Sequence, residues 1–187
     1  MADRIVVLDA WPVVEHYRGS EPAASAVAQL LGRAGQHRVM SVVNFTEVCS
    51  ALAVRVGPEA AHRAARHLSG LVTMEEATKA VAEIASRLKY AYRMALGDTY
   101  AVATAISLDA PVWTGDAEIL CDDRVWQVHD LRSDADRRRH EQRQAQGILE
   151  AGRREVLAHL DHRELLAYVA APIQETASVT REAFGAP

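Results

Sequence analysis

Four carboxylic acids, Asp9, Glu47, Asp98 and Asp116, stand far apart in a chain of 187 residues, each at the edge of a short apolar run. If a fold gathers them into one crevice, their like charges raise one another's pKa unless a cation neutralises them. A donor set of oxygens alone, without histidine or cysteine, selects a hard ion such as Mg2+ or Mn2+ over zinc. Ions of that kind lower the pKa of a bound water, hold it in line with phosphorus and stabilise charge on the leaving oxygen, so a phosphodiester is hydrolysed without a protein nucleophile. The signatures of other chemistries, GxxxxGKS/T, GxGxxG, HExxH and GxSxG, do not occur. His62, His67, His159 and His162 form no zinc-type constellation.

Singly, each acid has a plainer role. Asp9 suits a strand-ending turn, Glu47 completes a capping box with Asn44, Asp98 suits a helix N-cap, and Asp116 follows a glycine in a turn. What joins them is their place among the elements. Ile5 to Leu8 reads as a strand buried on both faces that stops at Asp9, with a helix opening at Pro12. A helix follows over 25–34, then a strand over Val39 to Val43, then a helix to Val56 with Asn44 as its N-cap. Helix 59–69, a short strand Leu71 to Met74, and a long amphipathic helix over 75–95 come next. Gly97 breaks that helix, Asp98 caps Thr99 to Leu108, and Pro111 to Trp113 and Val125 to Val128 read as two further strands. Such alternation predicts an α/β fold, a parallel sheet flanked by helices. Open parallel sheets bind ligands beyond the carboxyl ends of their strands, the edge to which these acids map.

The composition, 49% hydrophobic and 25% charged, fits an ordinary globular chain. A formal net charge of −4 excludes a whole-molecule electrostatic grip on nucleic acid, so any RNA contact must be a local basic stripe. Cys49 and Cys121 lack the paired spacing of thiolate zinc sites and are expected to be buried reduced thiols. The amino-terminal apolar run is too short for a membrane span and unlike a secretory signal, so a cytoplasmic protein without membrane association is expected. Beyond Leu131 the texture changes to the polar stretch DADRRRHEQRQAQ, and a boundary is placed to give a first domain over 1–132 and a helical C-terminal extension over 133–187.

The segments VVLDAWPVV, SVVNFTEV, LGDTYAVATA and VWTGDAEI resemble, in order, the four acidic motifs of PIN domains, especially the VapC-like toxins of toxin–antitoxin systems. The likeness covers residues 4–131. It implies a PIN-like, Rossmann-like fold and a Mg2+- or Mn2+-dependent endoribonuclease that dimerises and is silenced by a cognate antitoxin. By position, Asp9, Glu47, Asp98 and Asp116 match the family's metal-binding acids, with Asn44, Thr114 and Glu118 as supporting residues. Two departures stand out: Trp11-Pro12 replaces small residues after the first aspartate, and Glu118 lengthens an acid that is usually aspartate.

Arg87, Lys89 and Arg93, interleaved with Tyr90 and Tyr92, form a candidate RNA-contacting stripe, against the alternative of a solvated helix face with inward tyrosines. The Arg137-Arg138-Arg139 run is nearly cancelled by Asp134, Asp136 and Glu141, as on an exposed helix. Val156, Leu157, Leu160, Leu165, Leu166 and Val169 need a partner surface, either the main domain or a second chain. A tail arginine reaching into an acidic cleft to restrain it is a further option. Competing functions are a haloacid-dehalogenase-like phosphatase, disfavoured because Trp11 stands where a second aspartate is needed, and an inactive PIN-like module that binds RNA or protein without cutting.

Overall fold

The computed structural model describes residues 4–146 and 152–171. Five short strands form: β1 (Arg4–Leu8), β2 (Gln36–Ser41), β3 (Thr73–Glu75), β4 (Val112–Thr114) and β5 (Val128–Asp130). They build one parallel sheet in the order β3-β2-β1-β4-β5, with Val7 opposite Val39 on one side and opposite Val112 on the other. The order reverses direction between β1 and β4, and a crevice opens at such a switch point beyond the strand ends.

Eight α-helices flank the sheet among the described residues: α1 (Ala10–Arg18), α2 (Ala23–Gly32), α3 (Val42–Val56), α4 (Pro58–Ser69), α5 (Lys79–Ala91), α6 (Leu96–Ser107), α7 (Asp134–Ala145) and α8 (His162–Ala170). Period-two alternation splits β1 between two cores. Val6 and Leu8 pack with Met40, Val48, Leu52 and Leu68 on the face of α1, α3 and α4, while Val7 packs with Val39, Val112, Leu88 and Val102 on the face of α5 and α6. Burial on both faces is why β1 reads as a continuous apolar run over Ile5 to Leu8.

Several boundaries differ from those expected of the sequence, each for a local reason. Helix α1 opens at Ala10 rather than Pro12, because the Asp9 carboxylate accepts from the Ala10 amide. Strand β2 stops at Ser41, whose hydroxyl accepts from the Val43 and Asn44 amides; Ser41, not Asn44, caps α3, and Asn44 lies inside the helix. Strand β3 runs on to Glu75, and Thr78 then caps a shorter α5 by accepting from the Val81 amide. That helix ends at Ala91 because Tyr92 turns extended, pairs with Arg153 and buries its ring against Trp126 at 4.8 Å. Ala95 caps α6, with Asp98 in the first turn, and the Ala95 amide donates to Glu118 at 2.6 Å. Strand β5 falls at Val128–Asp130 rather than 125–128, since Val125 and Trp126 turn inward and the Trp126 indole donates to the Ile119 carbonyl.

The carboxy-terminal part divides into two kinds of helix. Helix α7 buries none of its residues, and its position is fixed by the Ser133 cap and by Arg137 bonding Asp130 at 3.3 Å. Helix α8 starts at a capping box of Asp161 and Glu164 and inserts Leu165 and Val169 fully into the core that holds Val81, Ala85 and Leu88. Leu157 is buried with them, and Leu160 and Leu166 are partly so. The side chain of Val156 and residues 147–151 and 172–187 lie outside the described part. No helix among the described residues is long and apolar enough to cross a membrane.

Candidate active site

The carboxylate of Asp9 is 2% exposed at the end of β1, directly at the switch point. Its Oδ2 accepts from the Thr114 hydroxyl at 2.7 Å, and its Oδ1 accepts from the Ala10 amide and from the Asn44 amide at 3.3 Å. Thr114 ends the neighbouring β4, so the sheet register itself sets this pair: Leu8 lies opposite Trp113, and each strand's next residue faces the other. The same Thr114 oxygen accepts from the Asp116 amide at 2.9 Å, and the Asp116 carboxylate accepts from the Glu118 amide at 2.7 Å.

Asn44 sits one helical turn before Glu47 on α3, and α3 starts where β2 ends. Its side-chain nitrogen donates to Asp9, to Glu47 Oε2 at 3.3 Å and to the Gly97 carbonyl at 3.1 Å. One neutral amide thus ties the first acid to the second and to the turn that carries the third. Asn44 Oδ1 is buried and has no hydrogen-bond donor. The α3 and α6 helices approach so closely here that a Cβ on Gly97 would collide with the Glu47 carboxylate. On the opposite wall the Trp11 ring lies where a Cβ of Gly115 would stand, so Trp11 occupies the mouth of the crevice.

Electrostatics show that the acids share one field. Burial pushes the Asp9 pKa up to about 7, opposed by the Thr114 hydrogen bond and assisted by the charges of Asp116 and Glu47. Burial, then the charges of Asp116 and Asp9 and a hydrogen bond with Glu118, push Asp98 up to about 9. Glu47 and Asp116 are also raised, burial being the largest cause in both. Among the described residues no three His, Cys, Asp or Glu side chains close into a ready coordination cage. The acids converge without completing a shell. Even so, their chemistry fits a hard divalent cation: anionic oxygens in a low-dielectric crevice, mutual repulsion that a cation relieves, and an orphaned amide oxygen at Asn44 beside them.

The structure therefore brings together Asp9, Asn44, Glu47, Asp98, Thr114, Asp116 and Glu118. Of Arg87, Lys89 and Arg93, the first two have their side chains bonded to backbone carbonyls elsewhere. The Arg87 guanidinium donates to the Val169 carbonyl of α8 at 3.3 Å, the Lys89 ammonium donates to the Met94 carbonyl, and the exposed Arg93 donates its backbone amide to Gly152. Tyr92 is fully buried with its hydroxyl on the Asp123 carbonyl, so it offers no stacking platform; Tyr90 is 51% exposed. Two features of the crevice escape sequence reasoning, the close approaches at Gly97 and Gly115, which depend on which distant side chain meets each glycine.

A five-stranded parallel sheet with an acid-lined crevice at its switch point defines an α/β protein of the PIN class. The PIN-domain family model matches residues 6–121, and the chain belongs to that family. Solved structures similar to it include the VapBC2 complex of Rickettsia felis bound to promoter DNA, at a TM-score of 0.55 and 10% identity over 68% of this chain and 99% of that one. Another is VapC20 of Mycobacterium tuberculosis, a sarcin-ricin-loop-cleaving toxin, at 0.53 and 17% over 62% and 92%. A third is a toxin–antitoxin complex from Klebsiella pneumoniae, at 0.52 and 15% over 63% and 91%. At these identities the likeness is one of fold. No curated protein matches the sequence.

Proposed function

We propose that this protein is a Mg2+- or Mn2+-dependent endoribonuclease acting as the toxin of a toxin–antitoxin pair, with Asp9, Glu47, Asp98 and Asp116 as its metal-binding acids. The observation that carries this reading is the hydrogen-bond web around buried Asp9, in which Asn44 bonds both Asp9 and Glu47 and Thr114 bonds both Asp9 and the Asp116 amide. Likeness in fold to an RNA-cleaving toxin and to a toxin–antitoxin complex supports the choice of RNA as substrate and of an antitoxin as partner; a second copy of the chain as partner is what the family resemblance implies.

A bound divalent cation would supply an activated water and a counter-charge for the leaving oxygen. The chain's own residues do the positioning. Thr114 and Asn44 hold Asp9 through both of its oxygens, so that its rotamer is fixed before any ligand arrives. Asn44 aims Glu47, and the Glu118 amide aims Asp116. Glu118 itself anchors the α6 start that presents Asp98. Residues 133–187 are read as a helical extension whose α8 completes the core of this domain.

The competing reading, an inactive PIN-like module, is favoured by the open spacing of the acids among the described residues. A Mn2+ and Mg2+ titration against labelled RNA, with Asp9→Asn as control, separates the two. Metal-dependent cleavage that vanishes in the variant supports the nuclease, and metal-independent binding without cleavage supports the module.

A further inference from the structure

Immediately beside the acids lies a pocket of opposite character, about 230 Å3 in volume, between the Asp116 turn and helix α7. Gly115, Ala117 and the Trp11 ring form one wall, and Arg132, Arg139, His140 and Arg143 line the other. We propose that this pocket is a phosphate subsite, in which α7 grips the RNA strand at a phosphodiester next to the one positioned at the acids. The identity of the ligand as RNA rests on the nuclease reading.

Helix α7 presents an unusual face to this space. Asp136, Arg139, His140 and Arg143 are spaced i, i+3, i+4 and i+7, which places them on one side of a helix, and all four line the pocket. On an ordinary surface helix that stripe would be apolar and packed. Here it is cationic and faces an open space, while no residue of α7 is buried. The helix is held by polar contacts alone: the Ser133 hydroxyl bonded to Asp136 at 2.6 Å, and Arg137 turned away to Asp130 and Asp134 at 3.3 Å each. Arg137 is thus engaged elsewhere, and of the Arg137-Arg138-Arg139 run only Arg139 lines the pocket.

Charge within the pocket is in excess. Arg139 is matched by Asp136, and Arg132 grips Asp130 through Nε and Nη2 at 2.8 to 3.2 Å. Arg132 lines the pocket as well, and its Nη1 is buried with no acceptor. Arg143 adds a further positive charge on the same wall. Arginine's planar fork suits phosphate oxygens, and the Trp11 ring opposite gives the sugar or base an apolar surface.

The pocket is coupled to the acids by the backbone. Gly115 and Ala117 flank Asp116, and Arg132 follows Leu131, whose amide donates to the Thr114 carbonyl at 2.9 Å. An RNA strand crossing the crevice therefore meets a pocket whose near wall flanks Asp116 and whose far wall is cationic. Such a wall offsets the repulsion that an acid cluster exerts on a polyanion.

The test is Arg139→Gln combined with Arg143→Gln, both on exposed positions of a helix that buries nothing. A labelled single-stranded oligouridylate is titrated with the full chain in EDTA across a KCl series, with Mn2+-dependent cleavage followed in parallel. The expected result is an affinity lower by about tenfold or more and a salt slope shallower by about 0.7 for each phosphate no longer neutralised, with an unchanged melting temperature. The Lys pair at the same positions is expected to keep the slope. An unmoved affinity and slope overturn the subsite even if cleavage proceeds normally. A reduced slope in a protein that cuts nothing upholds the subsite and sinks the nuclease, whereas a wild-type chain that binds no RNA in EDTA overturns the subsite and leaves the nuclease to be decided by the Mn2+ cleavage assay.

Discussion

The Glu47 carboxylate rests directly on Gly97, so that α3 and α6 meet through an acid on one helix and a missing side chain on the other. Helix α6 carries Asp98 one residue further on, and the Asn44 amide bonds both the Gly97 carbonyl and Glu47. The seating of Glu47 against the start of α6 therefore depends on a single hydrogen atom at position 97.

Replacing Gly97 by alanine is expected to push Glu47 off its Asn44 bond and to separate α3 from α6. Overpacking of this kind costs about 1 to 3 kcal/mol. Metal-dependent cleavage should fall by about two orders of magnitude, in line with the cost of a misplaced reacting group. Melting curves and cleavage rates check the two effects separately, and an active Gly97→Ala protein would show that Glu47 is dispensable.

Thr114→Val keeps the shape of the side chain but removes the donor to Asp9 and the acceptor for the Asp116 amide. Loss of these buried bonds is expected to destabilise the fold by about 1 to 3 kcal/mol. It should also weaken Mn2+ affinity by about 10 to 100-fold, as for other residues that orient metal ligands. Thr114→Ser restores the hydroxyl and should recover both. Calorimetric Mn2+ titration distinguishes this from a purely steric effect, which Ser would not repair.

The raised carboxyl pKa values carry a sign. In the folded, metal-free protein Asp9 and Asp98 retain protons up to about 7 and about 9, where the unfolded chain has lost them near 3.8. Their contribution to stability in EDTA is therefore lost as pH rises from about 4 through that window. A cation reverses the repulsion, so Mn2+ should raise the melting temperature by several degrees at about pH 8.5 and by much less at about pH 5.5. Equal gains at both pH values would separate cation binding from these acids.

Leu165 of α8 is fully buried among the side chains of α5, and Arg87 of α5 bonds the Val169 carbonyl in return. Leu165→Ala should cost about 2 to 5 kcal/mol. Deletion of residues 134–187 should abolish cooperative unfolding rather than release a more active enzyme. Circular dichroism during thermal melting reads this outcome, and a truncated protein that melts sharply would contradict it.

The sheet is legible in the sequence because strands covered on both faces must be apolar throughout, and Ile5 to Leu8 ending on Asp9 has that pattern. Element boundaries are less so. Ser41 outcompetes Asn44 as a cap because its hydroxyl reaches two amides, and Asn44 is thereby freed to serve the acids. Tyr92 is an inward residue only because Trp126 and the Arg153 segment receive it, and such partners lie beyond any local window. On α7 the triple arginine dominates the sequence, yet Arg137 turns to Asp130 and Asp134, and the face that meets the pocket is the one through Arg139 and Arg143.

Placement of α8 inside the same apolar core as α5 also orders events during synthesis. All five strands and every acid of the crevice are synthesised before Leu165 and Val169. The core closes only once those late residues arrive, so a nascent chain carries the full set of acids well before it has a finished scaffold to hold them.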